Sequence, residues 1–189
     1  ESLDYATYLG NKSHIQSLLK QNQEFAKTSE QEAELFDKLG QKSLAIGSMQ
    51  RAAWGFTSDP ATESHGIEIA DRALIKAREL NGRDELKSTL ALNALLCIGL
   101  KKIPEAERLQ RELVELNNAT LRDTASGVSD RQQMQLTDAL RGSLDLYLSL
   151  RDAAPVEKTY EYVLSAKGST FIRQQRRNSV TVPTAEALF

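Results

Sequence analysis

Imidazole and thiol side chains, the usual general bases and readily activated nucleophiles, are scarce in this chain. There are two imidazoles, His14 and His65, and one thiol, Cys97. A catalytic site needs a nucleophile, a base and an orienting group converging on one place, and neither histidine stands in a motif that would supply them. Cys97 lies in the apolar run Leu95-Leu96-Cys97-Ile98. That setting predicts a buried thiol whose pKa is raised, the opposite of an activated nucleophile. A single cysteine excludes an intrachain disulfide and a cysteine-rich zinc site, and it fits a reducing, cytoplasmic compartment. Asp71, Glu79, Glu105, Glu107, Glu112 and Glu115 are interleaved with Arg72, Arg78, Arg108 and Arg111, the pattern of a solvated, salt-bridged helix face rather than a set of metal ligands. No phosphate-cradling glycine loop, pair of metal histidines or nucleophile elbow is present. The expectation is a segment with no catalytic residue, cofactor or metal.

Residues suited to binding are easier to find. Trp54, in Arg51-Ala52-Ala53-Trp54-Gly55-Phe56, has two readings: a packed core tryptophan, the commoner fate, or an exposed anchor for a partner. Arg173, Arg176 and Arg177, with Lys167 one or two turns earlier, form the one basic cluster. They can either grip an acidic partner or complement the negative end of a helix dipole. The net charge of -2 and pI near 5.8 leave no surplus of Lys and Arg for a phosphate backbone, so nucleic acid is not the expected partner. No run of about 18 apolar residues suggests a membrane span. The sequence opens on Glu1 without a basic start and apolar stretch, so no targeting peptide is read there, and a fragment of a longer protein is expected.

The elements that must position these side chains are helices. Leucine and alanine number 48 against 14 for valine plus isoleucine, and unbranched side chains lose less rotamer freedom in a helix. Pro104 and Pro155, each followed by acidic residues, mark helix starts, because the first turn does not need the donor that proline lacks. Apolar positions recurring every three or four residues predict helices over 12–38, 41–56, 63–80, 84–100, 104–124, 131–150 and 155–177. Residues 1–178 are expected to form one helical-repeat domain, with 179–189 as a loose tail or a linker to a downstream domain.

An internal match supports a repeat. Ala70-Asp71-Arg72, Ala77 and Glu79-Leu80-Asn81 recur as Ala106-Glu107-Arg108, Leu113 and Glu115-Leu116-Asn117 at a constant offset of 36 residues. Thr159 and Ala166 keep the seven-residue gap, nearly two helical turns, that places the members of each pair on one face. The expected pairs are 41–56 with 63–80, 84–100 with 104–124, and 131–150 with 155–177. On these residues, and on Leu-Lys-Lys-Ile-Pro-Glu-Ala between two helices, the chain resembles the tetratricopeptide family, whose period is about 34 residues. The resemblance implies an all-α, TPR-like α-α superhelix of three to four antiparallel helix pairs. The distance from Ala106 to Thr159 demands an insertion, which longer, kinesin-light-chain-like units would accommodate. Leu144-Asp145-Leu146-Tyr147-Leu148-Ser149-Leu150 and Tyr160-Glu161-Tyr162-Val163-Leu164-Ser165-Ala166-Lys167-Gly168 are similar to the region preceding the caspase-like CHAT domain of bacterial TPR-CHAT proteins.

The family resemblance implies a module that binds a protein or peptide along a concave surface made by the first helix of each pair. The polar candidates there are Gln50, Arg51, Asn93, Asp138, Arg141 and Asp145. The family's lysine and asparagine clamp for a C-terminal carboxylate is not matched, because its expected region reads Leu90-Ala91-Leu92. Two further readings stand beside the regulatory scaffold: a substrate-access arm of a protease-like enzyme whose catalytic domain lies elsewhere, and a helical bundle that self-associates through leucine-rich faces.

Overall fold

The computed structural model describes residues 2–124 and 129–150 and, further on, 157, 159–164 and 167. Seven helices are delimited among them: α1 (Leu3–Leu18), α2 (Asn22–Lys38), α3 (Lys42–Thr57), α4 (Glu63–Leu80), α5 (Arg83–Gly99), α6 (Ile103–Asp123) and α7 (Asp130–Ser149). No strand occurs among the described residues. The fold is all-α and helical-repeat-like, with helices packed in consecutive pairs, in keeping with the composition and periodicity. Two compact units are present, Glu1–Leu109 and Gln110–Phe189.

One expected element is corrected. The stretch 12–38 is not a single helix: α1 begins earlier, at Leu3, and the chain breaks at Leu19-Lys20-Gln21 before α2. Ser2 starts α1 by accepting the Tyr5 N–H on its hydroxyl at 3.4 Å. Lys20 ends it by adopting φ 57°, the left-handed conformation that glycine normally supplies. The Gln21 N–H then reaches back to the Gln16 carbonyl at 2.9 Å. The same turn recurs twice. Gly40 (φ 73°) precedes Gln41, which donates to the Phe36 carbonyl at 2.8 Å, and Lys101 (φ 58°) precedes Lys102, which donates to the Cys97 carbonyl at 2.8 Å. Two of these three stops place lysine where glycine is the ordinary signal, which is why the first is hidden in the sequence.

The first unit is held by small residues at its helix crossings. α3 buries Ala45, Ile46, Met49, Ala52, Ala53 and Phe56, and α4 buries Ile69, Ala70, Ala73, Leu74 and Ala77. A Cβ added at Gly55 would lie 2.7 Å from the Ala26 Cβ of α2, and one at Gly66 would lie 2.9 Å from the Ala53 carbonyl oxygen of α3. α2 therefore meets α3, and α3 meets α4, nearly backbone to backbone. The expected pair 41–56 with 63–80 is formed by α3 and α4.

Polar side chains fix the register of alternate helices. Gln23, Glu30 and Asp37 lie two turns apart along α2. Gln23 donates to Thr62 Oγ1 (2.8 Å), Glu30 meets His65 Nε2 (3.1 Å), and Asp37 accepts from Lys76 Nζ (2.9 Å). Partner numbers rise together on the two elements, so α2 and α4 run parallel. Between α3 and α5, Ser43 donates to Glu85, holding that carboxyl below its usual range, and Gln50 donates to Ser88 Oγ at 2.8 Å.

In the second unit, Gln110 Nε2 donates to the Ser143 carbonyl at 2.7 Å and Asn117 Nδ2 donates to Ser143 Oγ at 3.1 Å. Val114, Leu121, Leu140, Leu144 and Tyr147 form its core. The Tyr162 ring meets Tyr147 edge-on, with centroids 5.6 Å apart, so the described residues of the expected 155–177 helix do pack toward α7. Burial and a hydrogen bond to Glu115 push the Tyr162 hydroxyl well above its usual range. The 179–189 tail lies outside the described residues.

Two glycines within α3 give a matched test of this packing. Gly47 has nothing within 4 Å of an added Cβ, whereas Gly55 is pressed against α2. Gly47→Ala should stabilise by about 0.5–1 kcal/mol through helix propensity. Gly55→Ala has the same propensity gain, yet should be destabilising by about 1–3 kcal/mol because the crossing is overpacked. Urea denaturation of both variants reads the difference in sign.

Candidate binding groove

The groove grows from one face of α3. Gly47, Gln50, Arg51 and Trp54 stand at three- and four-residue spacings, so they share a side of the helix. Trp54 is 59% exposed, which decides between its two readings: it is a surface side chain, and the commoner expectation of a core tryptophan is corrected. The inward stripe of α3 is already filled by Met49, Ala52, Ala53 and Phe56, and close helix crossings leave no room for an indole.

Two open cavities flank Trp54. One, of about 370 Å³, is lined by Phe25, Gly47, Gln50, Arg51, Trp54 and Leu92. The other, of about 280 Å³, lies between Trp54, Thr57 and Ser58 on one side, Glu63 and Ile67 on another, and Leu95, Leu96, Gly99 and Leu100 on the third. Leucines at 92, 95 and 96 of α5 make the walls apolar, and the missing side chain of Gly47 leaves the first cavity open. Such a mainly apolar concavity with a few polar groups is the usual form of a recognition site.

Arg51 is anchored rather than loose. Its Nη2 donates to Glu32 Oε2 at 2.7 Å and to Ser48 Oγ at 3.0 Å. The Glu32 side chain is only 6% exposed against 45% for Arg51, so a carboxylate sunk between helices holds a guanidinium at the surface. An added Cβ at Gly10 of α1 would come within 2.9 Å of Glu32 Oε1, so this carboxylate also lies close against α1. Sequence reasoning misses Glu32. Its signal is its phase, in step with inward-facing Ser29, Ala33 and Phe36, and that phase is legible only once the break before α2 is known.

The remaining candidates divide. Asn93 is corrected: it is 4% exposed, and its amide donates to the Ala70 carbonyl of α4 (3.1 Å) and to the Thr89 carbonyl (3.0 Å). It ties α5 to α4 and does not line an open surface. Asp138, Arg141 and Asp145 are exposed on α7 in the second unit, with Arg141 Nε 3.9 Å from Asp145 Oδ2. Arg173, Arg176 and Arg177 lie outside the described residues. The structure thus brings Gln50, Arg51 and Trp54 together in the first unit.

The titratable groups considered for catalysis are dispersed. His65 stands between Glu30 and Glu68 with its ring edge-on to Phe56 at 4.8 Å, and none of these is a nucleophile. Cys97 is half-buried rather than fully buried; burial first, and then the nearby Glu105 carboxylate, push its thiol up. Among the described residues no group of three or more His, Cys, Asp and Glu could hold a metal ion, and no helix is long and apolar enough to cross a membrane. Comparison with protein-family models, curated proteins and solved structures returned no match, so the functional reading rests on geometry.

Two outcomes follow from the site. Arg51→Ala should destabilise by about 1–3 kcal/mol, because it leaves the buried Glu32 carboxylate without its charged partner. The double variant Glu32→Leu/Arg51→Leu should recover part of that loss, and purely additive effects in urea denaturation would contradict the coupling. Cys97 should react with iodoacetamide more slowly at neutral pH in the native chain than in urea, with the gap narrowing as pH rises. Alkylation followed by mass spectrometry measures it.

Proposed function

We propose that this chain is a protein-binding helical-repeat module of the tetratricopeptide type, and that the groove around Trp54 is where it receives a peptide segment of its partner. The observation that carries this reading is an exposed tryptophan set between two apolar cavities, with an anchored arginine one turn before it on α3. Tryptophan and arginine are the residues on which interface energy concentrates, and rigid presentation lowers the entropy lost on binding. The Arg51 charge is already matched by Glu32, so the groove suits an apolar anchor flanked by hydrogen-bonding groups better than a highly charged ligand. Three turns of identical hydrogen bonding between helices favour the family reading. A place as the regulatory arm of a larger bacterial TPR-CHAT-like protein belongs to the same proposal.

Peptide-display selection against the whole chain tests it. Enriched peptides should share a large apolar residue, bind the wild-type chain about tenfold more tightly than Trp54→Ala, and lose less affinity to Asp138→Ala on α7. Enriched peptides indifferent to Trp54→Ala would remove the groove from consideration.

A further inference from the structure

The cavity on the α4 side of Trp54 holds a carboxylate, Glu63, whose surroundings indicate what the groove's occupant carries. Gly66 brings it there. An added Cβ at Gly66 would lie 2.6 Å from Thr57 Cγ2 and 2.9 Å from the Ala53 carbonyl oxygen, so the first turn of α4 is pressed against the last turn of α3. Glu63, at the start of α4, is thereby held half-buried in the same cavity wall as Trp54 and Thr57. Taking a carboxylate out of water is costly unless a donor or a cation meets it. The other half-buried or buried carboxylates described in the first unit are met: Glu30 by His65, Glu32 by Arg51, Asp59 by Gln23 and Glu85 by Ser43, and Glu107 is engaged as well. Glu63 forms no ion pair or side-chain hydrogen bond among the described residues. Its place in the first turn suits the positive end of α4, but a fully exposed acid would serve that end equally well.

The rest of the cavity favours positive charge. Its lining contains no Lys, Arg or His, and Lys101 and Lys102 stand past the end of α5 and outside it. The C-terminal ends of α3, at Thr57, and of α5, at Gly99, both line it, and helix carboxyl ends carry partial negative charge. Trp54 adds an exposed indole, whose negative face attracts cations. Ile67, Leu95 and Leu96 complete the walls with apolar surface that a long methylene stem can cover. One unmatched carboxylate and one indole set in apolar walls fit arginine better than lysine. The planar guanidinium stacks on an aromatic ring while donating two parallel hydrogen bonds to a carboxylate, and a compact ammonium does neither. The cavity on the other side of Trp54 differs, because its charge, Arg51, is already matched by Glu32. It is left for the apolar anchor of the same peptide.

We propose, resting on the reading that the Trp54 groove receives a peptide, that its Glu63 cavity is an arginine subsite: the peptide's guanidinium sits between the indole of Trp54 and the carboxylate of Glu63, with its stem along Ile67, Leu95 and Leu96. Trp54 is the chain's single tryptophan, so its indole N–H resonance reports on this groove alone. The probes are acetyl-arginine methylamide and its citrulline counterpart, which keeps the shape without the charge, titrated by NMR into the isotope-labelled whole chain at low salt. The arginine probe should shift the indole resonance saturably and bind about tenfold more tightly than the citrulline probe. Glu63→Gln should erase that preference, while Asp71→Asn, which alters an exposed acid of the same helix, should keep it. Equal affinity for the two probes, or a preference that survives Glu63→Gln, would overturn the proposal. So would about tenfold tighter binding of the arginine probe by the full-length Arg173→Gln/Arg176→Gln/Arg177→Gln variant, since the cavity would then already hold the chain's own basic cluster. Display-selected peptides that depend on Trp54 but carry no arginine would sink the subsite and leave the groove standing, whereas indifference of every selected peptide to Trp54→Ala would remove both.

Discussion

The architecture of the first unit depends on how closely three helices approach one another. Where α3 meets α2 and α4, glycine and alanine occupy the contact, and the missing Cβ atoms of Gly55 and Gly66 set the distance. Larger residues there would push the helices apart. Side chains anchored on α2 and α3 would then no longer reach their partners on α4 and α5. Hydrophobic burial supplies the drive to associate, but alanine is a small contributor to it, and what the small residues give is a spacing.

That spacing allows the polar contacts to act as a ruler. Gln23, Glu30 and Asp37 are two turns apart on α2, and each finds its partner in Thr62, His65 and Lys76 only if α2 and α4 are parallel and in one register. Partly exposed polar contacts of this kind stabilise little individually. Their effect is to disfavour slipped arrangements, since a shift by one turn would leave several unmatched at once. The Glu32 and Arg51 pair differs because one member is buried. Removing Arg51 would leave the buried Glu32 carboxylate to bear its desolvation cost alone, and the paired carboxylate holds the guanidinium at one place beside the groove.

The groove follows from these constraints. With the inward stripe of α3 filled by Met49, Ala52, Ala53 and Phe56, the next large side chain, Trp54, has only the surface available. Residue type is enough to mark Gln50, Arg51 and Trp54 as candidates. Asn93 has the same polar character and sits on a helix of the same kind, yet its amide is committed to the Ala70 carbonyl. A side-chain amide serves equally well facing water or completing a buried carbonyl, and residue type does not distinguish the two. Glu32 shows the converse, a carboxylate that looks like a solvent residue and is buried with Arg51 as its hydrogen-bond donor.

By itself, the sequence determined the helical class, most helix boundaries and the absence of recognisable catalytic motifs, because these depend on local propensity, on apolar spacing along a single helix and on residue inventory. It also made the α3 and α4 pair legible through the apolar periodicity of 41–56 and 63–80. The tertiary structure alone decided the break between α1 and α2, where Lys20 takes a glycine conformation against its own preference, and the exposure of Trp54. It also decided which polar residues face water and which face another helix. These outcomes turn on contacts between residues distant in the chain, and a helix's own periodicity shows that it has a buried side without showing what will lie against it.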